Sequence, residues 1–234
     1  MSSVVIAGDT SGAITLQAPA VAGTTTLTLP AVSGTVMAPA TAGTSGQLLT
    51  SAGTGAAPTW STPAAGAMTF LESVTAASSA TVELTALTST YDMYMVVGSN
   101  VVPSVNFESL RLRVMVGGTT QTTGYKGNTA YTQSGSSSAI GNEGADTAYL
   151  LINRGQVSTN GSNFVLYIGT PANATLYKAI TWQTFGTTTS PTSIYQFGGG
   201  AYMGGTGAIT RLNFATLTGN LASGTFRLYG ISNS

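Results

Sequence analysis

Leu110-Arg111-Leu112-Arg113-Val114-Met115-Val116 alternates without a break. Leu110, Leu112, Val114 and Val116 fall on one side of the chain, Arg111 and Arg113 on the other. A period of two marks a strand with one buried and one solvated face. The pattern recurs downstream. Phe164, Leu166 and Ile168 alternate with Val165 and Tyr167, and Leu212, Phe214 and Thr216 with Arg211 and Asn213. Phe226 and Leu228 alternate with Thr225, Arg227 and Tyr229. Leu176, Ile180 and Trp182 form a further apolar set, interrupted by Lys178. Adding Val82–Leu84, Tyr91–Val97 and Thr147–Ile152 gives roughly eight or nine strands, spaced as in a sandwich or barrel. No stretch sustains a helical period. The predicted fold is all-β, with a jelly-roll-like antiparallel β-sandwich over 66–234, long enough to bury a core.

Residues 1–65 are a different kind of sequence. They hold one charged residue, Asp9, and one aromatic, Trp60, among Ala, Gly, Thr, Ser, Val and Pro. Ile14-Thr15-Leu16 and Leu27-Thr28-Leu29 alternate briefly, and each is followed by a proline, at Pro19 and Pro30. Ala18-Pro19-Ala20-Val21-Ala22-Gly23-Thr24 is echoed by Ala38-Pro39-Ala40-Thr41-Ala42-Gly43-Thr44. Proline and glycine steps keep such strands short. Ordering each residue costs about 1–2 kcal/mol of backbone entropy, and this segment has few large side chains to offset it. It is expected to be an extended, strand-rich stem or arm that folds only against neighbours. Ile14, Leu16, Leu27, Leu29 and Trp60 are its candidate oligomerisation contacts.

Composition narrows the functional classes. Only 6% of residues are charged, with seven basic and seven acidic side chains. A duplex-binding surface needs many Lys and Arg to neutralise phosphates, so no nucleic-acid partner is expected. A net charge of zero favours association, and the surface is expected to be covered by copies of the chain or by a larger assembly. There is no cysteine for a disulfide framework. The start, Met1-Ser2-Ser3-Val4-Val5-Ile6, has no basic or long apolar stretch, so no signal peptide is expected. Met93-Tyr94-Met95-Val96-Val97 is far too short for a membrane helix, and no membrane insertion is expected.

Two N-terminal stretches resemble segments of phage tail-fibre and related virion proteins. One runs Gly8-Asp9-Thr10-Ser11-Gly12-Ala13-Ile14-Thr15-Leu16-Gln17-Ala18-Pro19-Ala20-Val21-Ala22-Gly23-Thr24-Thr25-Thr26-Leu27-Thr28-Leu29-Pro30-Ala31. The other is Gly46-Gln47-Leu48-Leu49-Thr50-Ser51-Ala52-Gly53-Thr54-Gly55-Ala56-Ala57-Pro58-Thr59-Trp60. The ending, Gly224-Thr225-Phe226-Arg227-Leu228-Tyr229-Gly230-Ile231, is similar to the last strand of phage β-sandwich tip domains. The resemblance implies a homotrimeric virion protein, assembled in the host cytoplasm. Residues 1–65 would attach to baseplate, tail or capsid proteins. The C-terminal domain would meet a host cell-surface glycan or protein. A short tail fibre is the preferred reading. A capsid decoration or head-fibre protein is the alternative, and a surface-glycan depolymerase a second.

Chemistry has little to work with. Without His or Cys, the usual nucleophile–base triads cannot form. A Ser–Lys dyad on Lys126 or Lys178 has no supporting motif. A glycosidase needs two carboxylates across a sugar bond, and Glu72, Glu83, Asp92, Glu108, Glu143 and Asp146 show no pairing in sequence. Asn142, Glu143 and Asp146 match no calcium loop and read as a solvated turn. No enzyme activity, cofactor or metal is expected. Gly198-Gly199-Gly200 and Gly204-Gly205 read as tight turns or close chain approaches. Gly124–Ala145 reads as a long loop on a β scaffold, a favoured place for binding. Tyr125, Lys126, Asn128, Tyr131 and Gln133 there offer ring faces, amides and a cation suited to sugar contact. Tyr195, Phe197 and Tyr202 form a second aromatic set.

Overall fold

The computed structural model describes residues 3–7, 11–17, 24, 42–54, 56–63, 66–135, 139–142, 147–156, 159–187 and 192–232. The chain divides into two units, Met1–Pro63 and Ala64–Ser234. Among the described residues there is no helix, and every regular element is a strand. Among the described residues the first unit holds two antiparallel hairpins. β1 (Ser3–Ala7) pairs with β2 (Ala13–Gln17), placing Ile6 opposite Ile14 and Val4 opposite Leu16. β3 (Leu48–Thr50) pairs with β4 (Thr59–Ser61), placing Leu49 opposite Trp60. Successive residues point to opposite faces, yet Val4, Val5 and Ile6 are all exposed. A two-stranded hairpin with open apolar faces is marginal in water. Leu27 and Leu29 lie outside the described residues.

Among the described residues the second unit holds thirteen strands. They are β5 (Met68–Ser79), β6 (Val82–Leu84), β7 (Met93–Pro103), β8 (Glu108–Val116), β9 (Thr119–Thr120), β10 (Tyr125–Gln133), β11 (Ala139–Asn142), β12 (Leu150–Gln156), β13 (Ser162–Gly169), β14 (Lys178–Thr187), β15 (Ser193–Tyr202), β16 (Ile209–Thr216) and β17 (Leu221–Ile231). Eight form one antiparallel sheet in the order β11-β10-β15-β14-β13-β7-β17-β5. The order β12-β8-β16-β6, with β9 on β8, forms a second. Neither closes into a barrel.

The pairing is nested. β7 pairs with β17, β8 with β16, β10 with β15 and β13 with β14. Each pair lies within the previous one along the chain, as in a ribbon folded over on itself. Of these pairs β7–β17 lies in the larger sheet, β8–β16 in the smaller and β10–β15 in the larger again. The innermost hairpin, β13–β14, stays in the eight-stranded sheet, which makes the two sheets unequal.

The sheets meet through the alternating residues. Leu110, Leu112 and Val114 of β8 and Leu212 and Phe214 of β16 are buried from the smaller sheet. Tyr94 and Val96 of β7, Leu166 and Ile168 of β13, and Phe226 and Leu228 of β17 are buried from the larger. The Phe214 ring lies 5.2 Å from Phe226 and 5.6 Å from Phe164, so aromatic contacts join the two layers. Glu108 anchors the turn from β16 into β17. One carboxylate oxygen accepts from the amides of Ser109 (2.9 Å) and Leu217 (3.2 Å). The other accepts from the Thr218 amide at 3.0 Å and from the Thr218 hydroxyl.

Several sequence expectations are corrected. Gly124–Ala145 is not one long loop: it contains β10 and β11, paired with each other. Ser136–Ser138, Glu143 and Asp146 lie outside the described residues. Gly198-Gly199-Gly200 is no turn but the middle of β15. There a Cβ on Gly198 would stand 2.5 Å from Trp182 Cε2, and one on Gly200 would stand 2.7 Å from Leu150 Cδ2. The glycines leave room for side chains of neighbouring strands. Leu176 precedes β14 and is exposed, while Lys178 occupies the core-facing position. Its ammonium donates to the carbonyls of Leu176 and, at 2.8 Å, Thr206. Hydrogen bonds to carbonyls make the buried position tolerable, and burial lowers its pKa.

Candidate interaction surface

The smaller sheet covers one face of the eight-stranded sheet. The other face is reached by reading the outward residues across the strands. Phe70, Tyr229, Met95, Tyr167 and Thr181 are successive cross-strand neighbours from β5 to β14. A second row runs Arg227, Val97, Val165, Gln183 and Phe197 from β17 to β15. Phe185 of β14 faces Tyr195 of β15. Directly opposed side chains stand about 4.5–5.5 Å apart at Cβ, so these rows form one continuous surface. Rings touch across it: Phe70 meets Tyr229 edge-on at 5.7 Å, and Tyr195 lies 5.8 Å from Phe197.

This face is unusually bare of charge. Lys126 and Arg227 are the charged side chains at its described outward positions. Arg227 reaches the Ser99 hydroxyl at 3.4 Å. Met68, Phe70, Met93, Tyr167, Phe185, Tyr195 and Phe197 remain between 37% and 56% exposed. Within the face lies a hollow of about 240 Å³, lined by Val97, Asn163, Val165, Gln183, Phe185 and Tyr195 among others. The Asn163 side-chain oxygen accepts from the Asn100 backbone amide at 3.0 Å, which fixes one rim of the hollow.

The residues predicted from sequence fall into three groups. Tyr125 and Tyr202 are buried, with ring centroids 5.4 Å apart. The Tyr125 hydroxyl accepts from the Val114 amide at 2.8 Å and donates to the Gln121 carbonyl at 3.1 Å. Burial pushes its pKa up to about 12. The Tyr202 hydroxyl donates to the Gln121 side-chain oxygen at 3.0 Å. Both rings therefore pin β10 and β15 into the fold and present no free surface. Lys126 and Asn128 point outward on β10, while Tyr131 and Gln133 are half-buried towards its end. Tyr195 lies on the exposed face, beside the hollow. In the first unit, Ile14 and Leu16 are paired in β2, and Trp60 packs its ring on the backbone of Gly43.

The sequence reading missed Phe70, Tyr167 and Phe185 as surface residues. For Tyr167 and Phe185 a signal was present: β13 carries large side chains on both parities, and β14 adds Gln183 and Phe185 on the parity opposite Ile180 and Trp182. Glu72 and Glu83, like Glu108, have their carboxylates engaged within the fold. Glu83 pairs with Arg211 at 3.1 Å and accepts from Asn213, and Glu72 accepts from the amides of Thr85 and Ala86. Among the described residues no cluster of three metal-ligating side chains occurs, and no helix is long and apolar enough to cross a membrane. No protein-family model, curated protein or solved structure matches the chain.

Proposed function

We propose that the chain is a structural virion protein of a bacteriophage, a short trimeric tail fibre that works by contact and not by turnover. The observation that carries this reading is the outward face of the eight-stranded sheet: broad, held rigid by a two-layer core, rich in rings and nearly uncharged. Such a face suits protein contact, since interface cores are depleted in charge and enriched in aromatics and Met. The tail-fibre-like segments in residues 1–65 supply the phage setting. The engaged carboxylates Glu72, Glu83 and Glu108 support a non-catalytic role. The host-facing contacts are assigned to the outward side of β10, where Lys126 and Asn128 stand at one margin of the sheet.

Antibody raised against the Ala64–Ser234 unit tests the reading on particles of the phage that encodes the chain. Label at the tail is expected. Label on the capsid would replace the fibre by a decoration or head-fibre protein, and unlabelled particles would refute a virion role. Purified chain is also expected to release no new reducing ends from host polysaccharide. Their appearance would restore the depolymerase reading.

A further inference from the structure

The exposed sheet face has an area that can be compared with known interfaces. Seven of its side chains are about half-exposed. At roughly 200 Å² for a large side chain, they present about 600–700 Å² of mainly apolar surface. That reaches beyond the usual largest patch on a monomer, about 300–600 Å². With the half-buried Met95, Val97, Val165, Tyr229 and Ile231 between them, it approaches the ~800 Å² that each partner contributes to a stable interface.

Charge identifies the occupant. Among the described outward positions, a partner of opposite charge would find only Lys126 and Arg227 to recognise. A second copy of the same face meets it with almost no like charge opposed, and copies of zero net charge do not repel each other at a distance. Shape agrees. A cavity of about 150 Å³ is enough to hold benzene, so the hollow of about 240 Å³ has room for a ring from a facing chain. Rings protrude from the same face at Phe70, Tyr167 and Phe197.

We propose that the outward face of the eight-stranded sheet is the surface by which copies of this chain associate, with an aromatic side chain of one copy seated in the hollow beside Phe185 and Tyr195 of the next. The inference rests on the self-assembling part of the reading above, and not on its virion setting. Sedimentation equilibrium of the full chain tests it. Wild type should sediment at a multiple of 23.5 kDa. The double variant Tyr167→Lys, Phe185→Lys should associate at least about tenfold more weakly, because like charges would meet across a desolvated face. Its far-UV circular dichroism should be unchanged, since both positions point away from the core. Thr210→Lys, on the exposed side of β16, should behave as wild type. A wild type that stays monomeric overturns the proposal. A double variant that keeps the wild-type mass overturns this face while leaving self-assembly intact.

Hydroxyl-radical footprinting of the wild type is independent of whether the variant folds. Tyr167, Tyr195 and Phe185 should be protected relative to Tyr177, which is exposed outside the strands. Protection should be lost on dilution. Rings that react like Tyr177 at every concentration would overturn the proposal and assign the face to another partner.

Discussion

Replacing Glu108 by Gln removes a charge from the point where β16 turns into β17. The carboxylate is buried and takes four hydrogen bonds, two on each oxygen. Burial alone would raise its pKa. The Thr218 hydroxyl and the amides of Ser109, Thr218 and Leu217 outweigh burial and hold it below the ordinary value. Glutamine keeps one acceptor oxygen, so whichever way its amide turns, at least one backbone amide faces an NH₂ group, while the Thr218 hydroxyl can turn to accept. Leaving a buried donor unsatisfied costs about 1–3 kcal/mol, and a loss of that size is expected. Urea unfolding at fixed protein concentration, followed by circular dichroism, measures it. The pH dependence has a definite sign. A pKa depressed by folding contributes stability that is fully present above the unfolded value of 4.5 and is lost as pH falls through the lower folded value. The gap between wild type and variant should therefore be wide at pH 7 and narrow in acid below pH 4.5. A gap under about 0.5 kcal/mol at pH 7, the range of an indifferent surface change, would refute the role given to Glu108. So would a gap that stays constant in acid.

Three other perturbations probe the fold. Gly200→Ala places a methyl group 2.7 Å from both Leu150 Cδ2 and the Lys126 carbonyl oxygen; overpacking of this kind costs about 1–3 kcal/mol, and unchanged thermal unfolding would count against the mid-strand glycine. Tyr125→Phe leaves the Val114 amide without its acceptor and should cost about 1–3 kcal/mol. The wild-type minus variant absorbance titration should place this hydroxyl near pH 12, and a midpoint at pH 10 would contradict its burial. Removing residues 1–65 should leave a unit with strand-type circular dichroism and cooperative melting, because the buried core belongs to Ala64–Ser234. A truncated chain that does not fold would break the two-unit account.

The strands read most easily are those whose inward positions are filled by their own large side chains. β8, β13 and β17 are of this kind, and each inward residue named from sequence in them, from Leu110 to Leu228, is buried except the half-buried Val116. β10 and β15 escaped because their inward positions hold Gly127, Thr129, Gln196, Gly198 and Gly200. That space is filled from elsewhere, by Trp182 and Leu150. Polar inward residues there are satisfied across the layers: Thr129 donates to the Leu151 carbonyl at 3.5 Å, and Gln196 to the Asn153 side-chain oxygen at 2.6 Å. No count of apolar alternation along one strand reveals a cavity closed by another. The same limit applied to the candidate surface. Large side chains on both parities mark β13 as a two-faced strand, but only the registers of β13, β14 and β15 bring Tyr167 and Phe185 to one face with Tyr195.

A cryo-EM reconstruction of the phage particle tests the central claim most directly. The account predicts density for this chain on the virion, with the outward face of each eight-stranded sheet closed against neighbouring copies around Phe185, Tyr195 and Tyr167. A particle that lacks the chain, or copies whose sheet faces stand open to solvent, would contradict it.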